Sequence, residues 1–99
     1  MYRTPQTTLV GDVIVSYSEA GDFELTVSKG PGVALLSLRQ DTAYAEVEGP
    51  FARGGWSGPV EQAPPQLRGW LGLREKLIAS QNRRIVRYVA GNETFLFRF

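Results

Sequence analysis

Hydrophobic and polar positions alternate through the first half of the chain, in the pattern of strands that bury one face. Residues 12–18 and 22–29 both follow a period of two, most clearly where Phe23, Leu25 and Val27 alternate with charged and hydroxyl side chains. Successive side chains of a strand point to opposite faces of the sheet. The pattern therefore predicts two antiparallel strands with one dry face and one wet face.

Two further strands are predicted directly after these. Residues 33–39 are apolar on both faces, which indicates a strand that is covered on both sides, and we place Leu35 on the dry face with Phe23. Residues 42–49 return to alternation. Glycine and proline at 30–32 and 49–50 predict turns, because glycine tolerates positive φ and proline fixes φ.

The segment over residues 51–71 changes character. Its first half is rich in glycine and proline, which favours a connection without regular structure. Pro64 and Pro65 suit the first turn of a helix, and helical spacing continues to a predicted stop at Asn82. The apolar stripe of this helix comprises Leu67, Trp70, Leu71, Leu77 and Ile78, with Leu73 at its edge.

Two strands are predicted after the helix, over residues 83–90 and 94–99, with a turn between them. In the last strand Phe95, Phe97 and Phe99 share one face, and we expect a core-facing strand at the edge of the sheet. Such an apolar edge also predicts a homodimer formed through residues 95–99.

These elements together predict one α+β domain over residues 1–99. Its architecture is a curved antiparallel sheet of about six strands, four before the helix and two after it. The helix is expected to pack on the concave face, because an amphipathic helix must bury its apolar stripe.

Composition excludes several kinds of chemistry. The chain has no cysteine and no histidine, so it lacks the imidazole and thiolate groups of common zinc sites and catalytic triads. Asp12, Glu24, Glu46 and Glu48 lie on predicted wet faces, where carboxylates usually serve solubility. We therefore expect no enzymatic activity, no metal and no cofactor. The chain also shows no signal peptide and no apolar run long enough to span a bilayer.

Charge is unevenly distributed along the chain, although the net charge is only +1. Residues 1–50 carry three cations and seven carboxylates, whereas residues 51–99 carry eight cations and three carboxylates. This asymmetry indicates either a basic docking face or charge pairing between the two halves across one sheet. Arg83, Arg84 and Arg87 are candidate contacts for phosphates or lipid headgroups, with a solvated face as the alternative.

The run FELTVSKGPGVALLSLRQDTAYAEVEGPFARGGWSG (23–58), followed by APPQLRGWLGLREKL (63–77), resembles the periplasmic lipoprotein-carrier superfamily. That superfamily contains the outer-membrane lipoprotein receptor and its soluble carrier. The resemblance implies an incomplete antiparallel barrel with a helix in its mouth and a cavity that holds acyl chains. It also implies a location in the periplasm or at the periplasmic face of the outer membrane.

The leading hypothesis is a non-enzymatic, envelope-associated domain that holds an acyl chain or a partner segment between its sheet and its helix. The predicted lining residues are Phe23, Leu25, Leu35, Trp56, Trp70, Leu71 and Phe97. Trp70 also fits a plain core position, and Trp56 fits either a buried plug or the rim of a ligand site. The alternatives are an assembly protein that self-associates through its last strand, and a nucleic-acid-binding barrel, for which the basic cluster lacks an aromatic platform.

Overall fold

The structure is a computed structural model that describes residues 1–30, 33–50, 55–80 and 83–99. These residues form nine β-strands and one α-helix. The strands are β1 Tyr2–Arg3, β2 Thr8–Leu9, β3 Asp12–Tyr17, β4 Phe23–Ser28, β5 Ala34–Gln40, β6 Tyr44–Glu48, β7 Trp56–Pro59, β8 Ile85–Ala90 and β9 Glu93–Arg98, and the helix is α1 Pro65–Ala79. The predicted turn residues Pro31 and Gly32, residues 51–54 of the connection, and the predicted helix stop at Asn82 lie outside the described residues.

The strands belong to two antiparallel sheets. The terminal sheet has the order β2-β1-β9-β8 and joins the two ends of the chain. The meander sheet has the order β3-β4-β5-β6-β7, so each strand pairs with the next along the sequence. Buried side chains from both sheets and from α1 form one continuous hydrophobic core.

The prediction of one curved six-stranded sheet with a helix on its concave face was wrong. The described residues form two sheets of four and five strands, and neither sheet curls or closes. No strand was predicted for the first eleven residues, but Tyr2 pairs with Phe95 and draws the last strand into a separate sheet. The broad description as a small α+β domain remains valid.

Strand β7 was also missed, because its glycine and proline favour irregular structure. Trp56–Pro59 pairs with β6 at the edge of the meander sheet. An edge strand tolerates such residues, since one of its sides makes no ladder hydrogen bonds. Gly58 also makes room for a ring, because a Cβ at this position would lie 3.1 Å from Cζ2 of Trp56.

Strand β5 has the opposite phase from the one predicted. Leu36 and Leu38 face the core, whereas Leu35 is half-buried and lies at an irregularity where the register shifts between Val27 and Ser28. The extra residue of a bulge has no partner on the neighbouring strand. Because residues 33–39 are apolar on both faces, their periodicity did not indicate which face is buried.

Helix α1 begins at Pro65, as the sequence predicts, and contacts both sheets. Its buried residues are Leu67, Gly69, Trp70, Leu71, Leu73 and Leu77. Gly69 faces Glu93 and Phe95 of the terminal sheet, and Gly72 faces the hydroxyl of Tyr88. On the meander side, Arg74 donates through Nη2 to the carbonyl of Gly21 at 2.9 Å. This position between two sheets explains why Leu73 is fully buried rather than at the edge of the stripe.

Strand β9 faces the core through Phe95 and Phe97, but the prediction was wrong for Phe99, which follows the strand and is 58% exposed, and β9 is not an edge strand. It lies between β1 and β8, with Phe95 and Phe97 buried. The backbone of Met1 extends this pairing, because Leu96 N donates to Met1 O at 2.8 Å. The edges of the terminal sheet are β2 and β8.

Candidate functional site

The candidate site is a surface depression of about 760 Å³ that lies beside both tryptophans. We call it the tryptophan groove. Three parts of the chain form it: the β1–β2 hairpin, the region around the start of β7, and the first turns of α1. Its lining residues are Tyr2, Thr4, Thr7, Pro50, Gly55, Trp56, Pro64, Gln66, Leu67 and Trp70.

Local sequence positions each part of the groove. The hairpin turn closes when Thr4 N donates to Thr7 O at 2.8 Å, and Thr4 Oγ1 accepts from Thr7 N at 3.0 Å. Pro64 and Pro65 set the start of α1, because proline suits positions whose N–H has no intrahelical acceptor. One helical turn separates Leu67 from Trp70, so both side chains lie on the same face of α1.

An aromatic cluster forms the apolar part of the groove. The rings of Tyr2 and Trp70 are tilted with their centroids 4.7 Å apart. Phe95 lies behind both, 5.0 Å from Tyr2 and 4.9 Å from Trp70, and meets the indole edge to face. Such offset and edge-to-face contacts favour a fixed ring geometry. The apolar surface is therefore held by the core.

The hydroxyl of Tyr2 is held within the structure. It donates to Glu93 Oε2 at 2.6 Å. Burial raises the pKa of Tyr2 well above its ordinary value, and the hydrogen bond and negative charge of Glu93 raise it further, while a hydrogen bond from Trp70 lowers it. Tyr2 thus presents a neutral ring whose polar end is occupied.

The structure separates the seven predicted lining residues into three groups. Five of them belong to the hydrophobic core: Phe23, Leu25, Trp70, Leu71 and Phe97. Of these, Trp70 also lines the tryptophan groove, and so does half-buried Trp56. Leu35 lies on the outer face of the meander sheet, on the opposite side from Leu36.

The space between the helix and the sheets is small. A cavity of about 10 Å³ lies among Trp70, Phe95, Phe97, Val13 and Val27. This volume accommodates about one water molecule, whereas ligand pockets usually have several hundred cubic ångströms. The open groove beside the tryptophans is therefore the better candidate for binding.

The predicted anion-contacting residues lie close together in the chain and outside the tryptophan groove. Arg83, Arg84 and Arg87 are exposed at the start of β8. Arg74 is directed away to the carbonyl of Gly21, and Arg68 donates through Nε to Ala63 O at 3.2 Å. The first three arginines remain available to solvent, and the other two brace the helix.

Two further features bear on the site's chemistry. Within the described ranges, no group of three or more acidic residues is placed to hold a metal ion. The described part of the chain also contains no helix with the length and apolarity to cross a membrane.

No family model, curated protein or solved structure matches this chain. The resemblance to the lipoprotein carriers consequently remains a prediction.

Both tryptophans were predicted to line the site, but their neighbour Tyr2 was not. Tyr2 reaches the groove only because β1 pairs with β9, a contact between the two ends of the chain. The signal that was present is the Thr-Pro-Gln-Thr turn at residues 4–7, which separates two short segments of strand-forming residues.

Proposed function

We propose that this chain is a non-enzymatic binding domain that holds an extended peptide segment of a partner protein in the tryptophan groove. The observation that carries the proposal is that Trp56 and Trp70 both line one depression whose lining is partly apolar and partly polar. Tryptophan and tyrosine contribute large, rigid apolar surfaces and are common at the centres of interfaces.

The lining suits a peptide better than an acyl chain. Thr7 and Gln66 are exposed beside the aromatic rings, so hydroxyl and amide groups lie within the same depression as the apolar surface. A peptide needs polar partners for its backbone and apolar contacts for its side chains, whereas an acyl chain needs enclosure. Prolines in an extended segment pack well in aromatic-lined grooves, because such a segment loses little entropy on binding.

A synthetic array of extended nonapeptides, with proline at every third position and leucine between, provides the probe. Peptides selected from the array are titrated while tryptophan fluorescence is recorded. Trp56→Ala is expected to weaken the binding of these peptides at least tenfold, as is typical for an aromatic residue at an interface centre. The double variant Thr7→Ala/Gln66→Ala is expected to weaken binding several-fold through exposed positions that make no contribution to the core.

Tyr44→Ala is the matched control, because Tyr44 is an exposed aromatic residue on the outer face of the neighbouring strand. It should bind the selected peptides as the unmodified protein does, and thermal unfolding should show that every variant is folded. Dibromostearate, which quenches tryptophan on contact, supplies the acyl comparison. Quenching by dibromostearate without binding of any peptide in the array would overturn the proposal in favour of a lipid site.

A further inference from the structure

The outer face of the terminal sheet is basic. Pairing of Arg87 with Leu96, Ile85 with Arg98, and Arg3 with both Thr94 and Thr8 places these residues on one surface. We call this surface the arginine face. Its members are Arg3, Thr8, Ile85, Arg87, Val89, Thr94, Leu96 and Arg98.

In the described strands of the terminal sheet, no carboxylate side chain lies on the arginine face. The acidic residue of the terminal sheet, Glu93, points to the inner face, where it accepts from Tyr2. Among the described residues, Arg3, Arg87 and Arg98 form no ion pair. They lie on three adjacent strands about 4.8 Å apart, so their charges fall within a patch on the order of 15 Å across. Exposed Arg83 and Arg84 precede β8 and add to the same end of the molecule.

The outer face of the meander sheet has the opposite charge. Asp12, Glu24, Glu46 and Glu48 are exposed there, and the cation Arg39 is paired with Glu24 at 2.9 Å. The two halves of the sequence therefore do not neutralise one another across one sheet. Their charges lie on two surfaces that face away from a shared core, and the molecule is electrically polarised.

Aliphatic side chains lie between the arginines. Ile85 is 59% exposed and Val89 is 53% exposed, and half-buried Leu96 lies on the neighbouring strand. The outward positions of the described strands of this sheet carry no aromatic ring, so they offer no stacking platform for unpaired bases. Interleaved arginines and aliphatic residues instead match a surface that is anionic outside and apolar just beneath.

A second copy of the chain is a poorer partner for the arginine face. The outer face of the meander sheet supplies acidic groups and the exposed aliphatic residue Ile14, but Ser16, Thr26 and Ser37 also lie between the carboxylates, and these hydroxyl groups do not match Ile85 and Val89. Edge-to-edge pairing of two β8 strands in antiparallel register brings Arg87 near its own equivalent. Like charges across such a pair are unfavourable.

We propose that the protein docks on an anionic lipid bilayer through the arginine face, with its acidic face turned to solvent. Each arginine near an anionic membrane surface strengthens binding about fivefold, and salt weakens this attraction. The aliphatic residues enter the interfacial region between headgroups. This inference does not depend on the function of the tryptophan groove, because the two sites have no lining residue in common.

Co-sedimentation with extruded vesicles tests the proposal. The full chain is mixed with vesicles of phosphatidylcholine alone, or with 30% phosphatidylglycerol, at low and high salt. We expect binding to the anionic vesicles only, and we expect it to fall at high salt. Arg87→Gln should lower the partition coefficient about fivefold, and Arg3→Gln/Arg87→Gln/Arg98→Gln should lower it about a hundredfold.

Lys29→Gln is the matched control, since it removes one exposed cation from the turn after β4 and should change binding less than twofold. Ile85→Ser/Val89→Ser tests the aliphatic contribution at exposed positions, and we expect weaker vesicle binding without loss of folding. Equal binding to neutral vesicles, or full binding by the triple arginine variant, would overturn the proposal. So would tighter binding to oligothymidylate than to vesicles at equal phosphate, or salt-sensitive dimers in the absence of vesicle binding.

Discussion

The hydroxyl of Tyr2 and the carboxylate of Glu93, 91 residues apart in the sequence, are joined by a hydrogen bond of 2.6 Å. This bond ties the first strand to the start of the last strand. It lies beside the Tyr2–Trp70–Phe95 ring cluster, so it also fixes the aromatic part of the tryptophan groove. The stability of the terminal sheet and the shape of the candidate site therefore depend on the same contact.

Tyr2→Phe is expected to lower the free energy of unfolding by about 1–2 kcal/mol. A hydrogen bond to a charged group contributes about 1.5–3 kcal/mol, and the half-buried position of Tyr2 lets water compensate for part of the loss. Urea denaturation followed by circular dichroism measures the change. Tyr44→Phe, at an exposed hydroxyl on the meander sheet, should change stability by less than about 0.5 kcal/mol. Equal losses of stability in the two variants would show that the hydrogen bond between Tyr2 and Glu93 does not stabilise the fold.

The same contact predicts a loss of stability in alkali. Burial, followed by Glu93, raises the pKa of Tyr2 above that of a free tyrosine. The native state therefore keeps a proton that the unfolded state releases above about pH 10. The contribution of Tyr2 to the free energy of unfolding is complete below that pH and is lost as the pH rises further. Unfolding free energies between pH 8.5 and 11.5 should fall less steeply for Tyr2→Phe than for the unmodified chain, and parallel curves would refute the prediction.

Local sequence patterns predicted the elements whose periodicity is unambiguous. Strand β4 and helix α1 were found because each has one apolar side, and Pro65 marks the helix start. The side chains of β5 were placed on the wrong face because residues 33–39 are apolar throughout. The division into two sheets was missed for a different reason: the pairing of Tyr2 with Phe95 depends on contacts across the whole chain.

The candidate site was predicted in part for the same physical reasons. Trp56 was chosen because a tryptophan is unusual in a connection rich in glycine and proline, and Trp70 was chosen because it belongs to the apolar stripe of the predicted helix. Their neighbour Tyr2 depends on tertiary pairing, which one sequence does not encode locally. Phe23 and Leu25 were assigned to a groove because the predicted sheet was curved, and in the two-sheet fold they fill the core instead.

Gly49→Ala is expected to destabilise the fold by at least about 2 kcal/mol. Gly49 has a φ of +111°, and a Cβ there would lie 2.6 Å from the carbonyl oxygen of Leu35. The substitution therefore adds a backbone clash to the cost of a positive φ. Gly91→Ala isolates the cost of the positive φ, because Gly91 has a φ of +58° and no atom lies within 4 Å of the added Cβ. We expect about 1 kcal/mol for Gly91→Ala, and equal urea midpoints for both variants would exclude the clash.

Gln40→Met is expected to raise stability by about 1 kcal/mol. Gln40 is 8% exposed, and among the described residues its buried Oε1 finds no hydrogen-bond donor. An unsatisfied buried polar group costs about 1–3 kcal/mol, and methionine has a similar length with an adaptable apolar side chain. Gln62→Met, at an exposed position after β7, is the control and should have little effect. A loss of stability in Gln40→Met would show that the amide makes a hydrogen bond in solution.

Asp41 organises the turn between β5 and β6, and we expect its contribution to the stability of the fold to disappear in acid. Asp41 Oδ1 accepts hydrogen bonds from Ala43 N at 2.8 Å and from Tyr44 N at 2.7 Å. These two donors hold the pKa of Asp41 below its usual value. Because the native state favours the ionised form, the stabilisation is present above the ordinary pKa of aspartate and is lost as the pH falls through the lowered native pKa.

Asp41→Asn keeps an oxygen acceptor but removes the charge, so it should be less stable than the unmodified chain at pH 7. The difference should shrink between about pH 4 and pH 2.5, as Asp41 becomes neutral in the unmodified chain. Asp12→Asn removes the same charge from the outer face without removing a turn hydrogen bond, and it separates the two effects. A titration followed by carbon NMR should give a pKa for the Asp41 carboxyl below the usual range of aspartate. A stability difference that persists unchanged at pH 2.5 would mean that the turn depends on side-chain geometry and not on charge.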